Sequence, residues 1–200
     1  MKQHEIEALR EGHRLIAGVD EAGRGPLAGP VVASAVLFSS PPDNPGIKDS
    51  KALTPAQRET ILLSINREAL AIGVGIVWPS HIDEINIHRA SLLAMERAVE
   101  ELQPAPHFLL IDGPFSIRSA LPQKPVVRGD TLSITIAAAS IVAKTVRDRI
   151  MGAYGRLYPE YGFLRNRGYG TKEHREALGR LGSTPIHRKS FKGVEGERCL

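Results

Sequence analysis

A single cysteine in 200 residues, Cys199, leaves no disulfide framework and no thiol-rich metal cluster to build. No apolar run approaches the roughly 18 residues that a membrane span needs. The opening stretch, MKQHEIEALREGHR, lacks the apolar core of a secretory leader. These absences together predict a cytoplasmic chain with no membrane association. There is no internal repeat, no low-complexity tract and no linker. Neither a Walker pattern nor a G-x-G-x-x-G is present, so nucleotide-cofactor folds gain no support.

What remains is ordinary for a soluble globular protein, with 42% apolar and 24% charged residues. The net charge of +4 is unevenly spread: 13 basic and 6 acidic residues from Lys144 onward, against 13 and 16 before it. An acidic cluster facing a basic C-terminal third suggests a metal site beside a polyanion track.

The organising stretch is Leu15 to Pro30, LIAGVDEAGRGPLAGP. An apolar run predicts a buried strand over 14–20, stopped by Asp20 and Glu21. Gly23-Arg24-Gly25 and Pro26 then force a tight turn. A second strand is predicted over 31–38. Thr54, Pro55 and Gln57 carry a capping-box signature for a helix whose apolar positions are Ile61, Leu62, Ile65 and Leu70. Residues 71–78 read as a third strand and 80–102 as one helix. A strand over 107–113 ends at Asp112, and a short strand over 125–130 ends at Asp130. A long Ala-rich helix follows over 133–154, with a short helix near 172–181. Strands alternating with helices predict an α/β domain over 1–155 and a small basic helical extension over 156–200 packed on it.

Asp20 and Asp112 each close a hydrophobic strand. If those strands are parallel neighbours, both carboxylates emerge at one sheet edge, where open α/β sheets bind ligands. Glu21 adds a third oxygen ligand and Asp130 a fourth. Such acids would repel unless a cation intervened. Without histidine or cysteine among them, they suit Mg²⁺ or Mn²⁺, with two ions in the working complex. His174 and His187, in the basic tail, are candidates for phosphate or proton-transfer roles.

The residues also resemble a known family. GVDEAGRGPLAGPVVASAV, KDSKALT (48–54), INIHRASLLAM (85–95), IDG (111–113), GDTLSITIAAASIVAKTVRD (129–148), YPEYGF (158–163), RGYGTKEH (167–174) and HRKSF (187–191) are similar, in order, to the motifs of type 2 ribonuclease H, the ribonuclease HII family. The resemblance implies a ribonuclease H-like fold, a mixed central sheet flanked by helices with a small helical C-terminal extension. It implies an endonuclease that hydrolyses the RNA strand of RNA–DNA hybrids and cuts at ribonucleotides embedded in duplex DNA. The family's metal-binding acids fall on Asp20, Glu21, Asp112 and Asp130. Its glycine-arginine-glycine element falls on Gly23, Arg24 and Gly25, and its junction-sensing tyrosine on Tyr169. The family's Lys-His-Lys-Gly run is here Arg165-Asn166-Arg167-Gly168, so position 166 has no histidine to act with. No glutamine-led clamp-binding peptide is seen, so sliding-clamp docking is not indicated, and a monomer is expected.

Arg24, Lys51, Arg165, Arg167, Arg188 and Lys189 are candidate phosphate contacts. Two rival classes compete with this reading. A non-catalytic nucleic-acid-binding module accounts for the basic tail and not for the acids. A phosphatase would use the glycine turn as an anion cradle. Mn²⁺-dependent cleavage abolished by a chelator separates the nuclease from a binding module.

Overall fold

The computed structural model describes residues 1–47, 50 and 53–194. In chain order the elements are α1 (Gln3–Arg10), β1 (Ile16–Ala22), β2 (Val31–Phe38), α2 (Pro55–Glu68), β3 (Ala71–Val77), α3 (Pro79–Ile85), α4 (Ile87–Glu100), β4 (Phe108–Asp112), β5 (Gln123–Val126), α5 (Gly129–Leu132), α6 (Ile134–Leu157), a 3₁₀ turn (Pro159–Tyr161), α7 (Phe163–Asn166) and α8 (Lys172–Leu181). The strands form one mixed sheet in the order β3-β2-β1-β4-β5. β1 pairs antiparallel with β2, and β2 with β3. β1 and β4 run parallel, as do β4 and β5.

The uninterrupted apolar run of β2 is explained by cover on both faces. Ala33, Ala35 and Leu37 belong to a core cluster with Ala90, Ala94 and Ala98 of α4. Val36 and Phe38 belong to a second cluster with Ala137, Ala138 and Ile141 of α6 and Leu62 and Ile65 of α2. The small residues of α6 let that helix lie against the sheet itself. A Cβ at Gly18 of β1 would stand 2.1 Å from the Thr135 carbonyl carbon, so only glycine admits the approach. At the start of α6, the buried Glu5 of α1 accepts from Ser133 Oγ (2.6 Å) and Thr135 N (3.0 Å). A carboxylate at a helix N-terminus opposes the positive end of its dipole. The N-terminal arm thereby fixes the helix that carries one wall of the site.

Beyond α6, Tyr161, Phe163, Ala177, Leu178 and Ile186 form a third cluster with Leu27, Ala28 and Met151. This C-terminal region therefore packs on both the loop after β1 and the far end of α6. The capping box of α2 forms as expected: Gln57 N donates to Thr54 Oγ1 and Thr54 N to Gln57 Oε1.

Several expectations shift. The first strand ends two residues later than expected, so Asp20 and Glu21 lie within β1, opposite Ser34 and Ala33. The single helix expected over 80–102 is two helices. Asn86, at φ 68°, breaks the first and caps the second by accepting from Arg89 N. Leu70 lies past the end of α2 and is exposed. The last strand ends at Val126, and Asp130 sits in the one-turn helix α5 instead of at a strand end. The left-handed Arg128 at α5's N-terminus turns the chain there.

Candidate active site

The β1–β4 ladder pairs Ile16 with Phe108 through to Val19 with Ile111, so the next step in register sets Asp20 beside Asp112. Two acids 92 positions apart thus share the carboxyl edge of neighbouring parallel strands. They line one cleft of about 260 Å³ with Glu21, the Ala22–Gly25 turn and Tyr169. The remaining wall is Ser140, Lys144 and Arg147 of α6, with Ser50.

Asp20 Oδ1 accepts from Glu21 N at 2.7 Å, and Asp112 Oδ1 accepts from Gly129 N at 2.6 Å. Burial raises the Asp20 carboxyl well above the usual carboxylate range, and the charges of Glu21 and Asp112 add to it. A hydrogen bond from Ser140 opposes that rise, and Ser140 in turn shares a 2.9 Å bond with Ser50. Burial raises Glu21 as well, opposed by Arg24, whose Nη1 lies 3.4 Å from Glu21 Oε1. On α6, burial lowers Lys144 although its ammonium pairs with Asp148 at 2.6 Å.

Of the four expected acids, three reach this cleft. Asp130 is buried on α5, one residue beyond the Gly129 that donates to Asp112, and does not line it. Among the described residues, no three His, Cys, Asp or Glu side chains are gathered tightly enough, as they stand, to chelate one ion. The donor set still suits a hard divalent cation. It is carboxylate oxygen only, and the burial and neighbouring like charge that raise Asp20 and Glu21 are what such a cation would offset.

The turn after β1 is held from beneath by two buried arginines. Arg147 donates to the carbonyls of Pro30 (3.0 Å), Ala28 (3.1 Å) and Arg167 (3.1 Å). Arg188 donates to those of Gly23, Arg24, Pro26 and Gly29. Burial pushes Arg188 down to about 9, the nearby Arg147 adding to it, and pushes Arg147 to about 10; both stay cationic at neutral pH. Arg188 was expected to contact phosphate. It is fully buried with its donors on backbone carbonyls, so it braces the turn instead.

Gly23, at φ 100°, is required there: a Cβ would stand 2.1 Å from Arg147 Nε. Gly25 differs, because its Cβ would meet nothing nearer than Tyr169 Cε1 at 3.7 Å. Tyr169 is 47% exposed, which leaves its ring available at the cleft. Gly168 joins the two segments by accepting from Leu27 N at 2.8 Å.

Among the other expected contacts, Arg24 is half exposed on the cleft. Arg165 is exposed and pairs with Glu173. Arg167 is half-buried, and Lys189 is exposed with its N–H on Asp83. Lys51 lies outside the described residues. His174 and His187 do not reach the cleft. They are buried against Tyr161 and Phe163, bonded to each other at 3.1 Å. Sequence reasoning missed Ser140, Lys144 and Arg147. Their spacing of four and three on an Ala-rich helix is the signal that marked them, the polar positions of one face.

The family model for ribonuclease HII matches residues 17–194. The chain is 55% identical over 192 residues to the ribonuclease HII of Syntrophus aciditrophicus, covering 96% of this chain and 91% of that one. It is 49% identical over 198 residues to that of Bacillus subtilis, covering 99% and 77%. Among solved structures it is similar to the ribonuclease H2 of Pyrococcus horikoshii, with TM-score 0.77, 26% identity and coverage of 90% and 95%. The ribonuclease HII of Archaeoglobus fulgidus, solved in complex with PCNA, gives TM-score 0.75 and 27% identity over 90% of this chain and 95% of that one.

Proposed function

The chain belongs to the ribonuclease HII family and is an endoribonuclease acting on RNA–DNA hybrids, and from that premise we propose that it also cuts at single ribonucleotides embedded in duplex DNA. The reaction is divalent-metal-dependent phosphodiester hydrolysis leaving 5′-phosphate and 3′-hydroxyl ends. The observation that carries the reading is one cleft holding Asp20, Glu21 and Asp112 together with the Gly23–Gly25 turn and Tyr169. Chemistry on the phosphate and inspection of the sugar can then occur at one nucleotide.

Asp20, Glu21 and Asp112 would hold Mg²⁺ or Mn²⁺ as two ions, with Asp130 completing the set from outside the present lining, one residue from the Gly129 that bonds Asp112. When bound, such ions supply Lewis-acid activation of water and of the scissile phosphate. The chain's own residues select and orient. A 2′-hydroxyl is the group that tells the two sugars apart, and the backbone N–H groups of the turn are its donors. The open side of Gly25 leaves room for a sugar to approach. Tyr169 packs on the deoxyribose of the following nucleotide. Arg24, Arg165, Arg167 and Lys189, with Lys51, hold flanking phosphates. Lys144 keeps a cation beside the acids. The reading includes a monomer working in the cytoplasm and no sliding-clamp partner.

The test is a duplex carrying one ribonucleotide, incubated with Mg²⁺ or Mn²⁺ and the cut mapped. Cleavage at the ribonucleotide, lost on chelation and leaving a polymerase-extendable 3′ end, is expected. Tyr169→Ala should impair this cut more than duplex binding. Cleavage in the presence of chelator, or equal loss of cutting and binding in Tyr169→Ala, would overturn the assignment.

A further inference from the structure

Arg188 carries a positive charge in the interior, and among the described residues its hydrogen bonds all go to backbone carbonyls. Its Nε donates to Gly29 O at 2.9 Å, Nη1 to Arg24 O at 2.9 Å and Pro26 O at 2.8 Å, and Nη2 to Gly23 O at 2.6 Å. Phe191 lies against the guanidinium, its ring centroid 5.0 Å from the central carbon. A buried charge persists only when it is well hydrogen-bonded, and here one planar fork gathers four carbonyls from a seven-residue turn.

That gathering has a consequence on the turn's other side. In a trans peptide the C=O and the following N–H point in opposite directions. Drawing the Gly23 and Arg24 carbonyls onto Arg188 therefore directs the N–H groups of Arg24 and Gly25 away from it. Pro26, next in the chain, has no N–H, and Leu27 N is already given to Gly168 O. Arg24 and Gly25 both line the cleft, and the space beside Gly25 is open up to the ring of Tyr169. Two consecutive N–H groups turned one way form a concave donor pair suited to oxygen.

We infer that Arg188 is a specificity-determining positioning residue, whose hold on the inward carbonyls presents the Arg24 and Gly25 N–H groups together to the 2′-hydroxyl of the substrate. The inference rests on the proposed role of the turn in sensing that hydroxyl. A lysine would keep the charge, but three donors on one nitrogen cannot span the carbonyls that a guanidinium fork reaches.

The experiment compares two duplexes differing by one 2′-hydroxyl, bound by full-length enzyme in chelator so that neither turns over. The readout is the ratio of their dissociation constants. Any inactive fraction scales both constants alike and cancels, so the ratio reports even for a variant that folds poorly. For Arg188→Lys the preference for the ribonucleotide duplex should fall about tenfold, or ~1.4 kcal/mol, with the all-DNA constant within about twofold of the parent. A merely structural role would weaken both duplexes together and leave the ratio unchanged, which would overturn the inference. A second protein carries glycolic acid in place of Gly25, an ester that deletes one N–H and leaves Arg188 intact; its ratio should fall too. If the ester lowers the ratio and Arg188→Lys does not, the inference fails while the sensing role of the turn stands. If Arg188→Lys lowers it and the ester does not, the route through these donors is wrong. A parent ratio of one, or no change in either variant, removes the sensing role and the inference together.

Discussion

Lowering the pH from 7 to 5 is expected to remove about 2 kcal/mol of folding stability through His187 alone. The structure assigns the protons of the His174–His187 pair. Tyr169 O can only accept, so His174 Nδ1, 2.9 Å away, donates to it. His174 Nε2 is then an acceptor, and His187 Nε2, 3.1 Å away, donates to it. His187 Nδ1 in turn accepts from Thr184 N at 2.9 Å. The network is complete with both rings neutral. A further proton on either ring sets N–H against N–H. Burial, then the neighbouring His174, push His187 down to about 4 from an ordinary 6.5, and burial lowers His174 in the same direction.

The sign follows from linkage. Between the ordinary value and about 4, the unfolded chain takes up a proton at His187 that the folded protein refuses, so stability falls with pH through that window and levels off below it. For a chain of this size, about 2 kcal/mol corresponds to roughly 4–8 °C in Tm. The assay is denaturant unfolding at several pH values for the parent and His187→Asn, whose side-chain oxygen can still accept from Thr184 N. The variant should be less stable at pH 7, by about 1–3 kcal/mol for the lost bond and packing. Its loss between pH 7 and 5 should be smaller than the parent's by about 2 kcal/mol. Titrating groups outside the pair cancel in that difference, and His174, freed of its partner ring, is the one group that does not. Parallel curves for the two proteins would refute the assignment of a neutral, proton-refusing pair.

Asp20→Asn retains an acceptor for Glu21 N and removes the one buried member of three neighbouring acids, so the metal-free variant should melt about 2–4 °C higher, for about 1 kcal/mol. Cleavage should fall by at least ~10³-fold, and Mn²⁺ should raise the Tm of the parent more than that of the variant. An active variant, or one less stable than the parent without metal, counts against the carboxylate reading. Gly25→Ala should leave Tm unchanged or slightly higher, since its Cβ finds open space, yet lower cleavage at a single ribonucleotide by more than about tenfold because a sugar needs that space. Gly23→Ala should lose about 1–3 kcal/mol of stability from its positive φ and its collision with Arg147; calorimetry of the pair, giving equal Tm shifts, would show the two glycines to have one role.

The legible parts of the fold are those written locally. Apolar runs closed by Asp20 and by Asp112 announce buried strands with acid toward their carboxyl ends, and Thr54-Pro55-x-Gln57 announces a helix start. Register between β1 and β4 is a long-range fact, and the sequence supports it only through the assumption that the two strands are parallel neighbours. Arg188 misled because HRKSF is a run of charge in a basic tail, while its burial depends on a turn 159 to 165 residues earlier offering carbonyls. The placement of Asp130 at a strand end misled for a related reason. PVVRGD scans as a strand, yet Arg128 takes a left-handed conformation and begins a helical turn. Asn86 broke a helix whose apolar periodicity runs straight through it.

The buried charges of this protein divide by what answers them. The acids of the cleft face one another, and burial leaves Asp20 and Glu21 in want of a cation. The two guanidiniums under the turn are met by seven hydrogen bonds to carbonyls, three from Arg147 and four from Arg188. The first arrangement stores repulsion and the second relieves it, so neutralising them should move stability in opposite directions. Removing a cleft acid should stabilise the metal-free protein and end cleavage, the trade expected where function requires strain. Replacing Arg188 should destabilise it, because the carbonyls it gathers lose their donors. The opposed signs separate groups held for chemistry from groups held for shape, and they place Arg188 on the side of shape although its effect is read in the discrimination between two sugars.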